Sequence, residues 1–149
     1  MADNLSSSKV QPAQERVAWA RLPMVALLAA VASAVGCALL FAAESRLGVI
    51  DHSVPLPSMV GTGPVSVTSV TVAAAAGSVW AAVAFAVTGA IGRSPIRVFR
   101  IVSAVALLLS LALPATVPGP SLAMRFGLAL MHVLVWVTNV AILTTLGKR

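Results

Sequence analysis

The sequence predicts an all-α fold: a four-helix transmembrane bundle with a disordered N-terminal cytoplasmic tail. Four stretches of the 149 residues contain no Asp, Glu, Lys or Arg, namely 22–43, 52–92, 101–124 and 126–147. Each can hold a helix of about 20 apolar residues, the length that crosses roughly 30 Å of hydrocarbon. Only 9% of the residues are charged, against about 25% in soluble domains. We therefore expect an integral membrane protein with its membrane domain at 22–147.

The polar tail is predicted to occupy residues 1–21. It contains three consecutive serines and shows no apolar periodicity that would bury one face. Trp19 lies near its end, and tryptophan favours the headgroup level of a bilayer. We expect residues 15–21 to form a short interfacial turn that leads into the first helix.

The first span is predicted at about 23–43. Ala29, Ser33 and Cys37 recur at intervals of four, a spacing of small residues that lets helix backbones approach closely in lipid. Cys37 is the only cysteine, so an intrachain disulfide is excluded. Residues 34–37 resemble the acylation box of a lipoprotein signal, but the apolar run continues through Phe41, which favours an uncleaved helix.

Residues 44–66 are predicted to be an external loop that lies over the helix ends and forms no pair of strands. Its prolines and glycines break helices and favour extended or turn geometry: Pro55, Pro57, Pro64, Gly61 and Gly63. Its ionisable side chains are interpreted as solvated charges, with a ligand site as the alternative: Glu44, Arg46, Asp51 and His52.

The second span is predicted at about 67–91 and carries the clearest packing signal. Its small residues form a stripe at four-residue spacing: Ala74, Ser78, Ala82, Ala86 and Ala90. We expect this face to lie against another helix, in the same subunit or in a second one.

The third span is predicted at about 98–115 and ends with Pro114. Because proline has no amide N–H, Pro114 leaves the Ser110 carbonyl without its helical donor and should bend the helix. A neighbouring donor is therefore expected near Ser110.

The fourth span, at about 124–146, carries a polar stripe. Arg125, His132 and Asn139 are seven residues apart and share a face with Trp136. Polar side chains at membrane depth usually face the bundle interior, because lipid cannot satisfy them. This stripe is the most suggestive constellation in the chain.

His132 has a functional and a structural interpretation. It can act as a proton relay, a haem or metal ligand, or a polar contact for a small molecule. Alternatively, its neutral ring donates to a freed backbone carbonyl, with Ser110 as the candidate acceptor. One buried histidine cannot supply both ligands of a bis-histidine haem, so we expect no cofactor and no metal site.

Few residues in the chain could support proton-coupled transport or catalysis. Small four-helix multidrug antiporters use a carboxylate inside the first span, whereas here the span interiors hold no Asp or Glu and Glu44 stands at the external edge. No nucleophile is paired with a base in a recognisable pattern. The sequence therefore predicts no enzyme and disfavours proton-coupled export.

The placement of the basic residues predicts the orientation. Eight lie before the first span, between the second and third, or after the fourth, whereas only Arg46 and Arg125 lie on the other side. The positive-inside rule then places both termini in the cytoplasm of a multi-pass plasma-membrane protein and removes any need for a nucleic-acid partner. Arg93, Arg97 and Arg100 are expected to contact anionic lipid headgroups.

Several of these features together resemble a known family. Its most characteristic pieces here are Leu109-Ser110-Leu111-Ala112-Leu113-Pro114 and Leu130-Met131-His132-Val133. The chain is similar, over about 23–146, to a family of small actinobacterial integral membrane proteins catalogued as a domain of unknown function. The resemblance implies a four-helix fold and a plasma-membrane location, and it carries no activity.

Two functions remain open at this stage. The favoured hypothesis is a small accessory or scaffold subunit that acts through helix packing, in a homo-oligomer or a larger membrane complex. The alternative is a binding protein or transporter for a small apolar molecule or lipid. Its ligand contacts would be His132, Asn139, Ser110 and Trp136, and it predicts a cavity that reaches His132.

Overall fold

The structure, a computed structural model, describes residues 17–58, 61–91 and 94–148. These residues form four long helices: α1 (Leu22–Arg46), α2 (Val67–Ile91), α3 (Pro95–Thr116) and α4 (Leu122–Leu146). Each is long and apolar enough to cross a membrane. The predicted fold class is confirmed, and the four helices indicate a multi-pass membrane protein. Residues 1–16, most of the predicted tail, lie outside the described part of the chain.

The helix starts follow from local chemistry. Pro23 and Pro95 occupy the first turns of α1 and α3, where a missing amide N–H leaves no bond unmade. Ser121 precedes α4, and its hydroxyl accepts a hydrogen bond from the Met124 amide at 3.2 Å. This cap satisfies one of the free N–H groups at the start of α4.

A short segment leads into α1. Residues Trp19–Arg21 form a 3₁₀ turn, in agreement with the turn expected there. The Ala18 amide donates to the Gly147 carbonyl at 2.8 Å, and Val17 pairs with Lys148 in a β-bridge. The segments before α1 and after α4 therefore meet at one end of the bundle, where Val17 and Ala18 are buried and the turn is exposed.

The small residues of α1 and α2 form the tightest helix contact. Ala29, Ser33 and Cys37 of α1 are buried, as predicted, and α1 packs more extensively on α2 than on α4. The α2 stripe is buried from Ala74 to Ala82. Beyond that point Phe85 and Thr88 replace Ala86 and Ala90 in the buried face, because a spacing of four drifts from the helical period of 3.6.

Two apolar clusters fill the bundle. The loop-end core contains Phe41, Leu56 and Met131, with Cys37 and Met124 beside them. The terminal core, at the end where the two chain segments meet, is built around Phe85 and Phe99, whose rings pack edge to face at 5.1 Å.

The loop between α1 and α2 contains a hairpin, so the prediction that it forms no strand pair was wrong. Strands β1 (Pro55–Ser58) and β2 (Gly61–Pro64) are antiparallel, with Pro55 opposite Pro64. Opposite residues alternate between hydrogen-bonded and non-hydrogen-bonded pairs, and two prolines cannot form the bonded kind. Pro57, two residues from Pro55, is therefore also at a non-bonded position, where a missing N–H costs nothing.

Helix α3 is the least buried of the four. Among the residues that the structure describes, it buries Pro95, Ile96 and Phe99 at its start and Pro114 near its end. The intervening residues 100–113, about four turns, are partly or fully exposed. Helix α3 is thus buried against the bundle near both ends and packs less closely in the middle.

Candidate functional site

A cavity of about 880 Å³ lies between α2, α3 and α4. It extends from Leu56 and Val65, beside the hairpin, to Phe99 and Asn139 near the terminal core. Its position follows from the way α3 is held, because the exposed middle turns of α3 form one wall. The volume falls within the about 300–1,000 Å³ that is common for small-molecule sites.

The four side chains singled out as ligand contacts all line this cavity: Ser110, His132, Trp136 and Asn139. The polar stripe of α4 therefore flanks the opening left by α3. The structure brings these four residues to one place, but their bonds differ from residue to residue.

His132 binds within its own helix. Its Nδ1 lies 2.8 Å from the Leu128 carbonyl oxygen, and a carbonyl only accepts, so Nδ1 carries the proton. The acceptor suggested by the sequence, the Ser110 carbonyl, is not its partner. In the neutral ring Nε2 is then an acceptor, and it makes no hydrogen bond to the described residues.

Ser110 contributes a hydroxyl and a carbonyl to the α3 wall. The hydroxyl donates to the Leu107 carbonyl at 2.8 Å. The Ser110 carbonyl has no donor four residues later, because that position is Pro114. The carbonyl of Ser110 therefore lacks its usual helical donor, as expected, no described side chain donates to it, and Ser110 lines the cavity.

Trp136 joins α4 to α3. Its Nε1 donates to the Ser103 hydroxyl at 3.3 Å. The bond fixes the register of the two antiparallel helices on this wall, with Trp136 level with Ser103.

Asn139 ties three helices together. Its Nδ2 lies 2.8 Å from the Val135 carbonyl, 3.0 Å from the Ser78 hydroxyl and 3.3 Å from the Ser33 hydroxyl. The side chain is 3% exposed, and its Oδ1 has no partner among the described residues. Asn139 was interpreted as a ligand contact; its bonds give it a structural role as the polar junction of α1, α2 and α4.

Arg125 belongs to the same sequence stripe but does not line the cavity. Its guanidinium donates to the carbonyls of Ala115, Val117 and Pro120. These acceptors lie at the end of α3 and in the following turn. Arg125 therefore fastens α3 to the start of α4.

Glu44 was expected to be solvated, and that expectation was wrong. Its side chain is 6% exposed, and Oε2 has no hydrogen-bond partner in the described part of the chain. It packs on Gly127 of α4, where a Cβ would lie 2.7 Å from Oε2. The signal that could have located it is its spacing from Cys37 and Phe41, which continues the buried face of α1.

The other ionisable side chains predicted in the loop between α1 and α2 are exposed, as expected: Arg46, Asp51 and His52. Hydrogen bonds from the Ser53 hydroxyl and amide hold the pKa of Asp51 below its usual value. His52 packs edge to face on Phe41 at 5.8 Å. These contacts order the loop locally.

Metal ligands do not gather at the cavity. Within the ranges 17–58, 61–91 and 94–148, no group of three His, Cys, Asp or Glu side chains could hold a metal ion. Cys37 lines the cavity and its thiol points to the Met131 carbonyl, 3.9 Å away.

The basic segment before α3 is described in part. Arg97 and Arg100 are exposed on the first turns of α3. Arg93 lies outside the described residues, so the proposed lipid contact of all three arginines stays a prediction.

Comparison with known proteins gives a family and no activity. No curated protein and no solved structure shows significant similarity to the chain. A family model matches residues 13–148, which is most of the chain. The protein belongs to DUF6069, a family of unknown function.

Proposed function

We propose that the protein binds a small apolar molecule or lipid within the membrane, in the cavity between α2, α3 and α4. The observation that carries the proposal is the cavity itself, which reaches His132 and is lined mostly by apolar side chains. Ser110 and His132 are polar contacts available to a ligand, and the ring of Trp136 adds apolar surface beside them. The proposal is for binding without catalysis.

The shape of the bundle supports this role over one based on helix packing alone. The small-residue face of α1 and the part of the α2 stripe from Ala74 to Ala82, which motivated the scaffold hypothesis, are buried against helices of the same chain. These parts therefore offer no unoccupied surface for a partner. The accessory or scaffold role stays a prediction without an observation that favours it.

We further propose that the protein lies in the plasma membrane of an actinobacterium with both termini in the cytoplasm. The charge distribution supports this orientation, and Arg97 and Arg100 are exposed where anionic headgroups would lie. Reporter fusions at Gly61 and Arg149 should report opposite sides of the membrane. Reports from the same side would contradict the orientation.

The binding proposal is tested by photolabelling. The full-length protein in lipid nanodiscs is incubated with a diazirine-bearing hexadecanol, and the saturable label is measured against empty nanodiscs. We expect saturable labelling of cavity residues. Ala106→Phe should abolish it, because Ala106 lines the cavity and the ring would occupy the space.

A matched variant serves as the control. Ala112→Phe adds the same ring to α3 at an exposed position that does not line the cavity, and it should leave the labelling unchanged. Equal labelling of the two variants, or labelling that never saturates, would contradict the proposal.

A further inference from the structure

We propose that the cavity selects an apolar molecule whose polar group donates a hydrogen bond, such as an alcohol, over the matching molecule that only accepts. The inference rests on the proposed binding function and names its ligand class. It follows from a count of which polar atoms on the cavity wall are already engaged and which remain free.

The serine hydroxyls on the cavity wall already donate their hydrogens to backbone carbonyls. Ser69 donates to the Ser66 carbonyl at 2.8 Å, and Ser103 donates to the Arg100 carbonyl at 3.0 Å. Ser110 donates to its own helix as well. A hydroxyl has one hydrogen to give, so these three side chains can only accept from a ligand.

The nitrogen and thiol donors are engaged too. The Nδ1–H of His132 donates to the Leu128 carbonyl, and the indole N–H of Trp136 donates to the Ser103 hydroxyl. The two amide hydrogens of Asn139 face three acceptors, and the Cys37 thiol faces the Met131 carbonyl. Among the side chains of the wall Trp80 is the exception: its N–H is unpaired among the described residues, but the side chain is 68% exposed.

The free polar atoms are acceptors. They are Nε2 of His132, the carbonyl of Ser110 and, at the end of the cavity near the terminal core, Oδ1 of Asn139. Each is an acceptor that no described side chain satisfies. An unsatisfied acceptor in an apolar environment costs free energy, and a donor from a ligand removes that cost.

Two of these acceptors lie close together in depth. Because Trp136 is level with Ser103, antiparallel counting puts His132 level with Leu107. Ser110 is then three residues nearer the α3–α4 turn, about 4.5 Å along the axis. A single hydroxyl group between α3 and α4 can therefore donate to either acceptor.

A matched pair of ligands tests the inference on the unmodified protein. The diazirine-bearing hexadecanol and its methyl ether differ in one donated hydrogen, and both are titrated into the full-length protein in nanodiscs. We expect the alcohol to bind about three- to tenfold more tightly, the effect of one hydrogen bond. Saturable binding of both with equal affinity would overturn this inference and leave the binding function standing; no saturable binding of either would overturn both.

Two variants locate the acceptors. His132→Phe removes Nε2 and keeps a ring, and Pro114→Ala gives the Ser110 carbonyl an amide donor from its own helix. At least one of them should bring the affinity ratio of alcohol to ether close to one. Trp80→Phe removes the one unpaired indole donor and should keep the wild-type ratio; loss of the ratio in Trp80→Phe alone would overturn the proposed acceptor site.

Discussion

Helices α1, α2 and α4 meet along small and polar side chains, whereas α3 buries residues only near its two ends in the described structure. Ser33, Ser78 and Asn139 bring the first three helices together at one buried point. The middle of α3 has no such buried junction: it accepts one hydrogen bond, from Trp136 to Ser103, and forms a wall of the cavity. One bundle thus contains a closely packed unit of three helices and a fourth helix that leaves room for a ligand.

The difference shows what small residues do in lipid. Where two helices present them to each other, backbones approach and van der Waals contact holds the pair. Helix α3 presents larger apolar residues along its middle, and most of these are exposed. Its attachment depends instead on Phe99 in the terminal core, on Pro114, on the hydrogen bond from Trp136 to Ser103, and on Arg125 at the turn.

The largest effect is expected at the centre of the three-helix unit. Asn139→Asp keeps the shape of the side chain but replaces its donors with acceptors that face a carbonyl and two hydroxyls. We expect a loss of about 2.5–3.5 kcal/mol of unfolding free energy at neutral pH, the cost of an aspartate at membrane depth. Reversible unfolding in mixed micelles, followed by tryptophan fluorescence, measures it.

The control is Asn139→Leu, which removes the bonds without adding a charge. It should cost about 0.6–2 kcal/mol, the usual value of interhelical hydrogen bonds in membranes. If the aspartate variant were no less stable than the leucine variant, the junction would not be the enclosed polar contact that the distances indicate.

The second effect concerns the attachment of α3. Arg125→Gln removes the charged donors to the carbonyls of Ala115, Val117 and Pro120, and we expect a loss of about 1.5–3 kcal/mol, the range for hydrogen bonds to charged groups. Hydrogen exchange should rise first at the end of α3. Arg125→Lys should recover only part of the stability, because an ammonium lacks the planar fork; full recovery would contradict the clamp.

Sequence reasoning found the helices and two of their buried faces. Charge-free length marks a span, and four-residue spacing of Ala29, Ser33 and Cys37 marks a contact face; both signals are local. The same kind of reasoning gave the polar stripe and placed Ser110, His132 and Trp136, which the structure brings to one cavity.

The remaining features depend on the neighbour that each face meets. Asn139 and His132 share a helix face and both line the cavity. Asn139 bonds to serines of two other helices, however, whereas His132 bonds only within its own helix. Glu44 is buried because Gly127 of α4 lies beside it, and no pattern within α1 reveals that glycine. The hairpin depends on which prolines lie opposite each other, which composition alone does not show.

The contact of Glu44 with Gly127 predicts a smaller effect on the unfolding free energy. The sign of the effect of Gly127→Ala should depend on whether the Glu44 side chain is present. Gly127→Ala places a Cβ against the carboxylate. We expect a net loss of about 1 kcal/mol, because crowding costs about 1–3 kcal/mol and the helix propensity of alanine returns about 1 kcal/mol. In a Glu44→Ala background the crowding disappears, so the same substitution should stabilise by up to about 1 kcal/mol.

Unfolding of the four proteins in this cycle measures the coupling. A change of the same sign and size in both backgrounds would show that the carboxylate does not pack on Gly127. The cycle also tests how closely α1 and α4 approach at the loop end of the three-helix unit.

The smallest effect is expected on the cavity wall of α3. Ala106→Leu adds three carbons where the structure leaves empty space, so we expect a change below about 0.5 kcal/mol, as for substitutions that disturb no packed contact. The same change in unfolding free energy is measured for Ala29→Leu, at a fully buried position of α1. There, overpacking should cost about 1–3 kcal/mol. Equal costs at the two positions would mean that α3 packs as closely as α1 does, and the cavity would then have no room for a ligand.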